Sequence, residues 1–452
     1  MVYQLKKYWS HFITPLYLTT RWNAAITISV LLFVLRFFLP WLGVVPYLFL
    51  LAFVIIILFE WFILFAKSAA ISAVRSHSER FSNGDNNPVT IDLTNNYSFT
   101  VTVEIIDEIP VQFQRRDILF TTVIEAGKHQ TINYQLRPVK RGAYYFGTLN
   151  LYVASSIGFV KRRYKQEQHI EVPVYPSYIQ MRKYQLMAVS NRLSETGIKK
   201  VRRLGHSLEF EQVKEYVQGD DYRTLNWKAT ARKGQLMVNN FTDEKSQQVY
   251  CIIDKGRVMK MPFEAMSLLD YAINAALVLT NIALLKQDKA GLITFGEQVS
   301  AFLPASNRPV QMESVLEVLY NQKTRYLESD FELLYATIRR KISQRSFIIL
   351  FTNFETLTAM RRYLPYLRKI AAHHLLLTIF FENTELKTVI TAPATSVEEV
   401  YTKTIAEKFS FEKKMIAKEL QQYGILSILT PPADLTINTI NKYLELKARQ
   451  AI

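Results

Sequence analysis

Carboxylates are the side chains of this chain best placed to do chemistry. Glu209, Glu211, Asp220 and Asp221 lie close together, just after His206 and Ser207. A serine, a histidine and an acid can form a nucleophile–base set, and paired carboxylates can serve acid–base hydrolysis. No known elbow or spacing joins them, so a hydrolase using residues 209–221 and Asp254 is the alternative reading. Asp254 closes the apolar run 248–253, and Asn353 follows the apolar run 346–351. Both positions read as carboxyl ends of strands, where open α/β sheets gather ligands. Cys251 is the single cysteine. It excludes an intramolecular disulfide, fits a reducing compartment, and reads as a buried strand residue. His373 and His374 are adjacent and do not share a ligand face. The chain contains no G-x-x-x-x-G-K-[ST], C-x-x-C or H-E-x-x-H, so neither ATP hydrolysis nor a zinc site is expected. No catalytic residue, metal, cofactor or small-molecule substrate is assigned.

The elements that must position these groups begin with an apolar third. The chain has 452 residues, 49% hydrophobic and 21% charged, which suits several folded domains. Residues 24–39 and 44–66 are apolar runs holding one charge each, Arg36 and Glu60. A membrane-spanning helix needs about 20 such residues, so the spans are placed at about 22–43 and 44–66. Pro40, Gly43 and Pro46 mark the tight turn between them. Lys6, Lys7 and Arg21 precede the first span, Lys67, Arg75 and Arg80 follow the second, and the turn carries no basic residue. This bias predicts a membrane hairpin, with the chain after about residue 67 in the cytoplasm. Arg36 is read as snorkelling outward and Glu60 as lying near the cytoplasmic end, with no special role for either.

From about 82 to 176 the pattern changes to period two. Residues 89–93, 101–105, 131–136 and 148–153 alternate apolar and polar, with turn signals at Asn95-Asn96, Ala126-Gly127 and Arg141-Gly142. The expectation is an antiparallel β-sandwich. The net charge of +16 is concentrated downstream: residues 161–233 hold 16 Lys/Arg and 8 Asp/Glu, densest at 161–165 and 199–203. The readings are a patch facing an anionic leaflet or acidic partner, or a solvated face. Nucleic-acid binding is a further alternative, but it wants stacking aromatics among the basic residues, and these runs offer only Tyr164.

Residues 205–241 read GHSLEFEQVKEYVQGDDYRTLNWKATARKGQLMVNNF. A helix is expected from Asp220-Asp221 to Gly234, with Arg223 on the face of Asp220 and Trp227 stacked beneath its guanidinium. Glu209-Phe210, Glu215-Tyr216, Gly219-Asp220-Asp221, Arg223, Asn226-Trp227, Thr230-Ala231-Arg232 and Leu236-Met237-Val238 together resemble the signature of the bacterial family called domain of unknown function 58. Lys214 stands where that family usually has Arg. The resemblance extends to the paired spans and to residues 141–163.

After Phe241, strands at 248–253, 290–295, 346–351, 375–381 and 425–429 alternate with helices at 265–286, 310–320, 331–341, 356–371, 398–423 and 435–447. The alternation predicts a doubly wound, mostly parallel sheet. The resemblance implies a von Willebrand factor A-like (Rossmann-like) domain. Such domains hold a divalent cation through D-x-S-x-S, a middle-loop residue and a later Asp. Here those positions are Asp254, Gly256, Val258, Ser329 (or Asp330) and Asn353, with Lys255 and Arg257 adding positive charge. Oxygen ligands are missing at Gly256 and Val258, so this degenerate adhesion site is expected not to hold Mg2+ or Ca2+ tightly. The resemblance also implies association with an AAA+ ATPase of the MoxR type or its client. The expected organisation is a membrane hairpin at 1–80, a β-sandwich at 81–178, a basic linker with the signature at 179–241, and the α/β domain at 242–452. The expected role is that of a non-catalytic adaptor.

Overall fold

The computed structural model describes residues 14–115, 118–189, 209–217, 220, 222–242, 246–324, 326–394, 396–449 and 451–452. The chain forms two compact units, Met1–Val174 and Tyr175–Ile452.

The first unit opens with strand β1 (Leu16–Leu18), then helices α1 (Thr20–Phe38) and α2 (Val45–Phe65). Thr19 caps α1 by accepting from the Trp22 amide. At 1.5 Å per residue the helices are about 28 and 31 Å long, which matches a hydrocarbon core of about 30 Å. Gly43 turns the chain between them at φ +45°, and the Arg36 guanidinium lies 4.6 Å over the Tyr47 ring.

Ten strands follow: β2 (Ile71–His77), β3 (Phe81–Ser82), β4 (Asn87–Asn95), β5 (Val101–Asp107), β6 (Leu119–Ile124), β7 (His129–Leu136), β8 (Gly142–Phe146), β9 (Leu149–Ala154), β10 (Val160–Gln166) and β11 (Ile170–Tyr175). They form sheets ordered β1-β10-β9-β5-β6, β2-β4-β7 and β3-β11-β8. The period-two pattern works as expected: alternate residues of β4 and β5 are buried. Ile71, Ile91 and Leu93 share a core with Val103, Leu151 and Val153 of the five-stranded sheet. Strand β2 lies upstream of residue 81, within the stretch that sequence reading gave to the hairpin.

Leu64 and Phe65 at the end of α2 are buried in that same core, and this placement explains Glu60. Its side chain is fully buried, contrary to the expectation of no special role. Oε1 accepts from Ser155 Oγ (2.5 Å) and the Gly158 amide (2.9 Å); Oε2 accepts from the amides of Phe159 (3.0 Å) and Val160 (3.2 Å). A buried carboxylate is tolerable when its oxygens are fully hydrogen-bonded. The other helix holds the same loop: Thr19 Oγ1 donates to Gly158 O (2.7 Å) and Arg21 Nη1 to Ile157 O (2.7 Å).

Three of the four basic side chains in the run 161–165 are engaged by structure, while Lys165 is exposed. Arg162 is buried and donates to Leu64 O and Lys67 O, both at 2.6 Å, capping the carbonyl end of α2. Lys161 pairs with Glu104 at 2.5 Å, and Arg163 donates to Asn150 Oδ1 at 2.7 Å. The other dense run, 199–203, lies outside the described residues.

The second unit starts with helix α3 (Tyr178–Val189), an element not expected from sequence. Strands β12 (Glu209–Glu215) and β13 (Met237–Thr242) form an antiparallel pair with helix α4 (Trp227–Lys233) between them. The α/β region then runs β14 (Gln248–Asp254), the small ribbon β15 (Pro262–Phe263) and β16 (Met266–Ser267), α5 (Leu268–Leu285), β17 (Lys289–Phe295), β18 (Val299–Ser306), α6 (Gln311–Tyr320), α7 (Phe331–Lys341), β19 (Phe347–Phe351), α8 (Leu357–Ala371), β20 (Leu375–Phe381), α9 (Thr384–Thr391), α10 (Val397–Gln422), β21 (Leu426–Thr430) and α11 (Leu435–Ala448). Six strands make one mixed sheet in the order β18-β17-β14-β19-β20-β21. Only β18 runs antiparallel, and it pairs with β17.

Helix α5 is as long and apolar as a membrane span, yet 83% of its apolar window is buried, against 11% for α1 and 22% for α2. It is buried on nearly all sides because it packs inside the unit, and its polar residues Asp270, Asn274, Thr280 and Asn281 are buried with it. A capping box between Ser267 and Asp270 starts it. Two cores flank the sheet, one around Ile273, Leu277 and Phe351, the other around Phe295, Leu350 and Phe380.

Candidate functional site

The strand order reverses direction between β17-β14 and β14-β19, which makes the carboxyl ends of β14 and β19 the switch point of the sheet. Asp254 ends β14, and Thr352 and Asn353 follow β19. The Asp254 side chain is 1% exposed. Its Oδ1 accepts from the Gly256 amide at 2.8 Å and from the Ser329 hydroxyl. Its Oδ2 accepts from Thr352 Oγ1 at 2.6 Å. Burial pushes the Asp254 carboxyl above the usual carboxylate range, against the downward pull of these three donors.

The site is tightly closed. A cavity of about 40 Å³ is lined by Asp254, Val258, Ser329, Thr352 and Asn353, with Glu328 and Arg362 among its other neighbours. A Cβ at Gly256 would stand 2.2 Å from Ser329 Oγ and 3.1 Å from Asp254 Oδ1. Glycine is therefore the residue that fits while Ser329 bonds Asp254. Glu328 pairs with Arg257 at 3.5 Å and with Arg362 at 3.1 Å. Asn353 Oδ1 accepts from the ammonium of Lys413 at 2.6 Å.

These residues do not fit a divalent cation. Both Asp254 oxygens are engaged, Gly256 and Val258 offer no side-chain oxygen, and Asn353 holds an ammonium with its oxygen. Hard cations require several free oxygens. Among the described residues no group of three or more His, Cys, Asp or Glu is arranged to hold a metal. Cys251 is buried, and burial pushes its thiol up to about 12.

Four of the five positions of the degenerate site, Asp254, Val258, Ser329 and Asn353, thus line one cavity, and Gly256 donates its amide to Asp254 beside it. Thr352 and Lys413 were missed by sequence reading. Thr352 is signalled only by its polarity at a strand end; Lys413 sits within a long helix rich in lysine and glutamate, and no local pattern distinguishes it.

The signature segment builds a different object. Asp220 Oδ1 pairs with Lys214 Nζ at 2.9 Å and Oδ2 accepts from the Val217 amide at 3.0 Å. The Lys214 hydrogen bond holds the Asp220 carboxyl below its usual range. The expected helix from Asp220 does not form: residues Tyr222–Thr224 make a 3-10 turn and α4 starts only at Trp227. Asn226 sets that start by accepting from the Ala229 amide at 3.0 Å. Arg223 therefore precedes the helix and lies 5.9 Å from the Tyr222 ring, while Trp227 is 69% exposed. Gly234, at φ +72°, ends α4, and Thr230 Oγ1 accepts from the Met237 amide at 3.0 Å. Glu215 pairs with Lys233 at 3.6 Å; Tyr216 donates its amide to Leu236 O at 2.9 Å; Ala231 and Arg232 are exposed. Glu209 and Phe210 fall in β12 by backbone. His206, Ser207, Gly219 and Asp221 lie outside the described residues. Neither Asp220 nor Asp254 has the other among its hydrogen-bond partners, and each is committed to local donors.

The features define a class: apolar helices joined to antiparallel sheets, then a signature hairpin and a doubly wound α/β region with a closed switch point. Residues 212–388 match the family model described as "Protein of unknown function DUF58". Uncharacterized protein YeaD of Bacillus subtilis (strain 168) is 28% identical over 130 residues, which cover 28% of this chain and 32% of YeaD. The chain thus spans about a third of the length of that relative. Among solved structures, conserved hypothetical protein BatB from Bacteroides thetaiotaomicron shows 13% identity and a TM-score of 0.30, covering 45% of this chain and 99% of BatB. The ASH / PapD-like domain of human CEP192 shows 10% identity and a TM-score of 0.19, covering 24% of this chain and 87% of that domain. TM-scores this low carry neither fold nor function across.

Proposed function

We propose that the chain is a membrane-anchored protein-interaction module, an adaptor that presents its α/β region to an AAA+ ATPase of the MoxR type or to that ATPase's client. The observation that supports this most is the state of the switch point. Asp254 is spent on Ser329, Thr352 and Gly256, and Asn353 on Lys413, which leaves a rigid polar edge in place of a reactive centre. The strand order with its antiparallel edge strand agrees with a von Willebrand factor A-like domain whose cation position has become structural. Helices α1 and α2 serve as the anchor, in the bacterial inner membrane, with the rest of the chain in the cytoplasm.

The test is co-purification of the full-length protein from gently solubilised membranes, with and without ATP, read by mass spectrometry. The expected result is enrichment of a MoxR-type ATPase that depends on nucleotide and weakens when Arg257 and Arg362, on the rim of the site, are both changed to Glu. Recovery of intact protein with no ATPase or client in either state overturns the reading.

A further inference from the structure

Beside the closed site lies an open one. On the other side of Asn353, a cavity of about 500 Å³ runs between the end of β20, α9 and α10. This is the size of a small-molecule pocket. Its walls are mostly apolar, with Phe263, Leu268, Phe381, Leu386 and Phe409 contributing, and Lys413 brings an ammonium to it.

We propose that this cavity binds a compact apolar molecule carrying a single carboxylate, with the carboxylate seated on Lys413. Three observations carry the assignment. The cavity removes apolar surface from water only when an apolar body fills it. The Lys413 ammonium donates to a neutral oxygen, Asn353 Oδ1 at 2.6 Å, and among the described residues no carboxylate forms an ion pair with it. Of the two acids on the lining, Glu382 is already paired with Lys387 at 2.9 Å, and Glu355 is exposed and supports Lys413 only at longer range. A half-buried ammonium with two donors left over is complementary to an anionic head group. Burial, moreover, pulls the Lys413 ammonium down to about 8, and an incoming carboxylate reverses that penalty. The cavity shares Asn353 with the closed site, but binding of a small acid there is measured without any partner protein.

The experiment uses the full-length protein in lipid nanodiscs, with empty nanodiscs subtracted, and isothermal titration with 4-phenylbutyrate and its neutral counterpart 4-phenylbutan-1-ol. The acid is expected to bind at least tenfold tighter than the alcohol. Lys413→Met should remove that preference while leaving the alcohol's affinity within about threefold, and Lys413→Arg should keep it. Leu386→Trp, which fills the cavity from α9, should weaken acid and alcohol alike; it also decides the matter if Lys413→Met does not fold. No binding of either probe, equal binding of both, a preference that survives Lys413→Met, or binding indifferent to Leu386→Trp overturns the proposal.

Discussion

Glu60 in the first unit and Asp254 in the second are both buried carboxylates, and among the described residues neither has an ion-pair partner. They are satisfied differently. Three of the four donors to Glu60 are backbone amides of one loop, with Ser155 the fourth. Two of the three donors to Asp254 are hydroxyls from separate loops, Ser329 and Thr352. The first arrangement fastens a helix to a sheet, so its strength depends on one side chain. The second ties the ends of neighbouring strands together, and each hydroxyl can be removed singly. The comparison teaches that a buried acid with no cation nearby can be a fastener, and that the donor type decides how divisible the fastening is.

Glu60→Ala should break the comparison hardest. It strands three amides and a hydroxyl, and leaving even one or two of them unsatisfied costs about 3–5 kcal/mol in total. Thermal unfolding of the full-length protein in nanodiscs reads this, and a loss below about 1 kcal/mol would show that water replaces the carboxylate. Asp254→Ala strands fewer donors, two of them hydroxyls free to rotate toward other acceptors, and should cost about 2–4 kcal/mol. Thr352→Val should cost roughly a third to a half of that in chemical denaturation, which tests whether the Asp254 cluster is divisible. Gly256→Ser should cost about 1–3 kcal/mol by crowding Ser329; a neutral or stabilising result would mean that Ser329 moves aside freely.

The smallest effect concerns Lys413, whose Asn353 bond extends the Asp254 cluster. Its folded pKa, about 8, lies below the ordinary 10.5. Between those values the unfolded chain holds the proton and the folded chain does not, so wild-type stability rises with pH across that window. Relative to Lys413→Met, the wild type should gain on the order of 1 kcal/mol from pH 7 to pH 10, after allowing for the solvent that reaches a half-buried ammonium. A flat difference between the two proteins would remove Lys413 from the cluster.

Much of the α/β region was legible. The run 248–253 became β14 at Gln248–Asp254, and 331–341 became α7 at Phe331–Lys341, because continuous apolar strands and amphipathic helices carry strong periodic signals. Edge strand β18 was missed: it is half-buried along most of its length, so its sequence neither alternates cleanly nor runs apolar. Helix α9 was missed because it is short and largely exposed. The Glu60 contact was invisible for a different reason. Amides of Gly158, Phe159 and Val160 leave no side-chain signature, so the acid reads as a stray charge in an apolar run. The positions around Asp254 were found through the family pattern, whereas Lys413, distant in sequence, was not.

Strand β1 precedes α1 and β2 follows α2, and both belong to the sheets of the first unit, so the helical pair is an excursion from a domain that begins before it. Leu16–Leu18 waits for Val160–Arg162, its antiparallel partner, which the ribosome makes much later. The two helices are complete long before that partner emerges, so the sheet can close only after both have been made. Closure requires both feet of the excursion to come together, because β1 pairs with β10. On the proposed reading of the pair as an anchor, completion of the sheet would report on the placement of the helices.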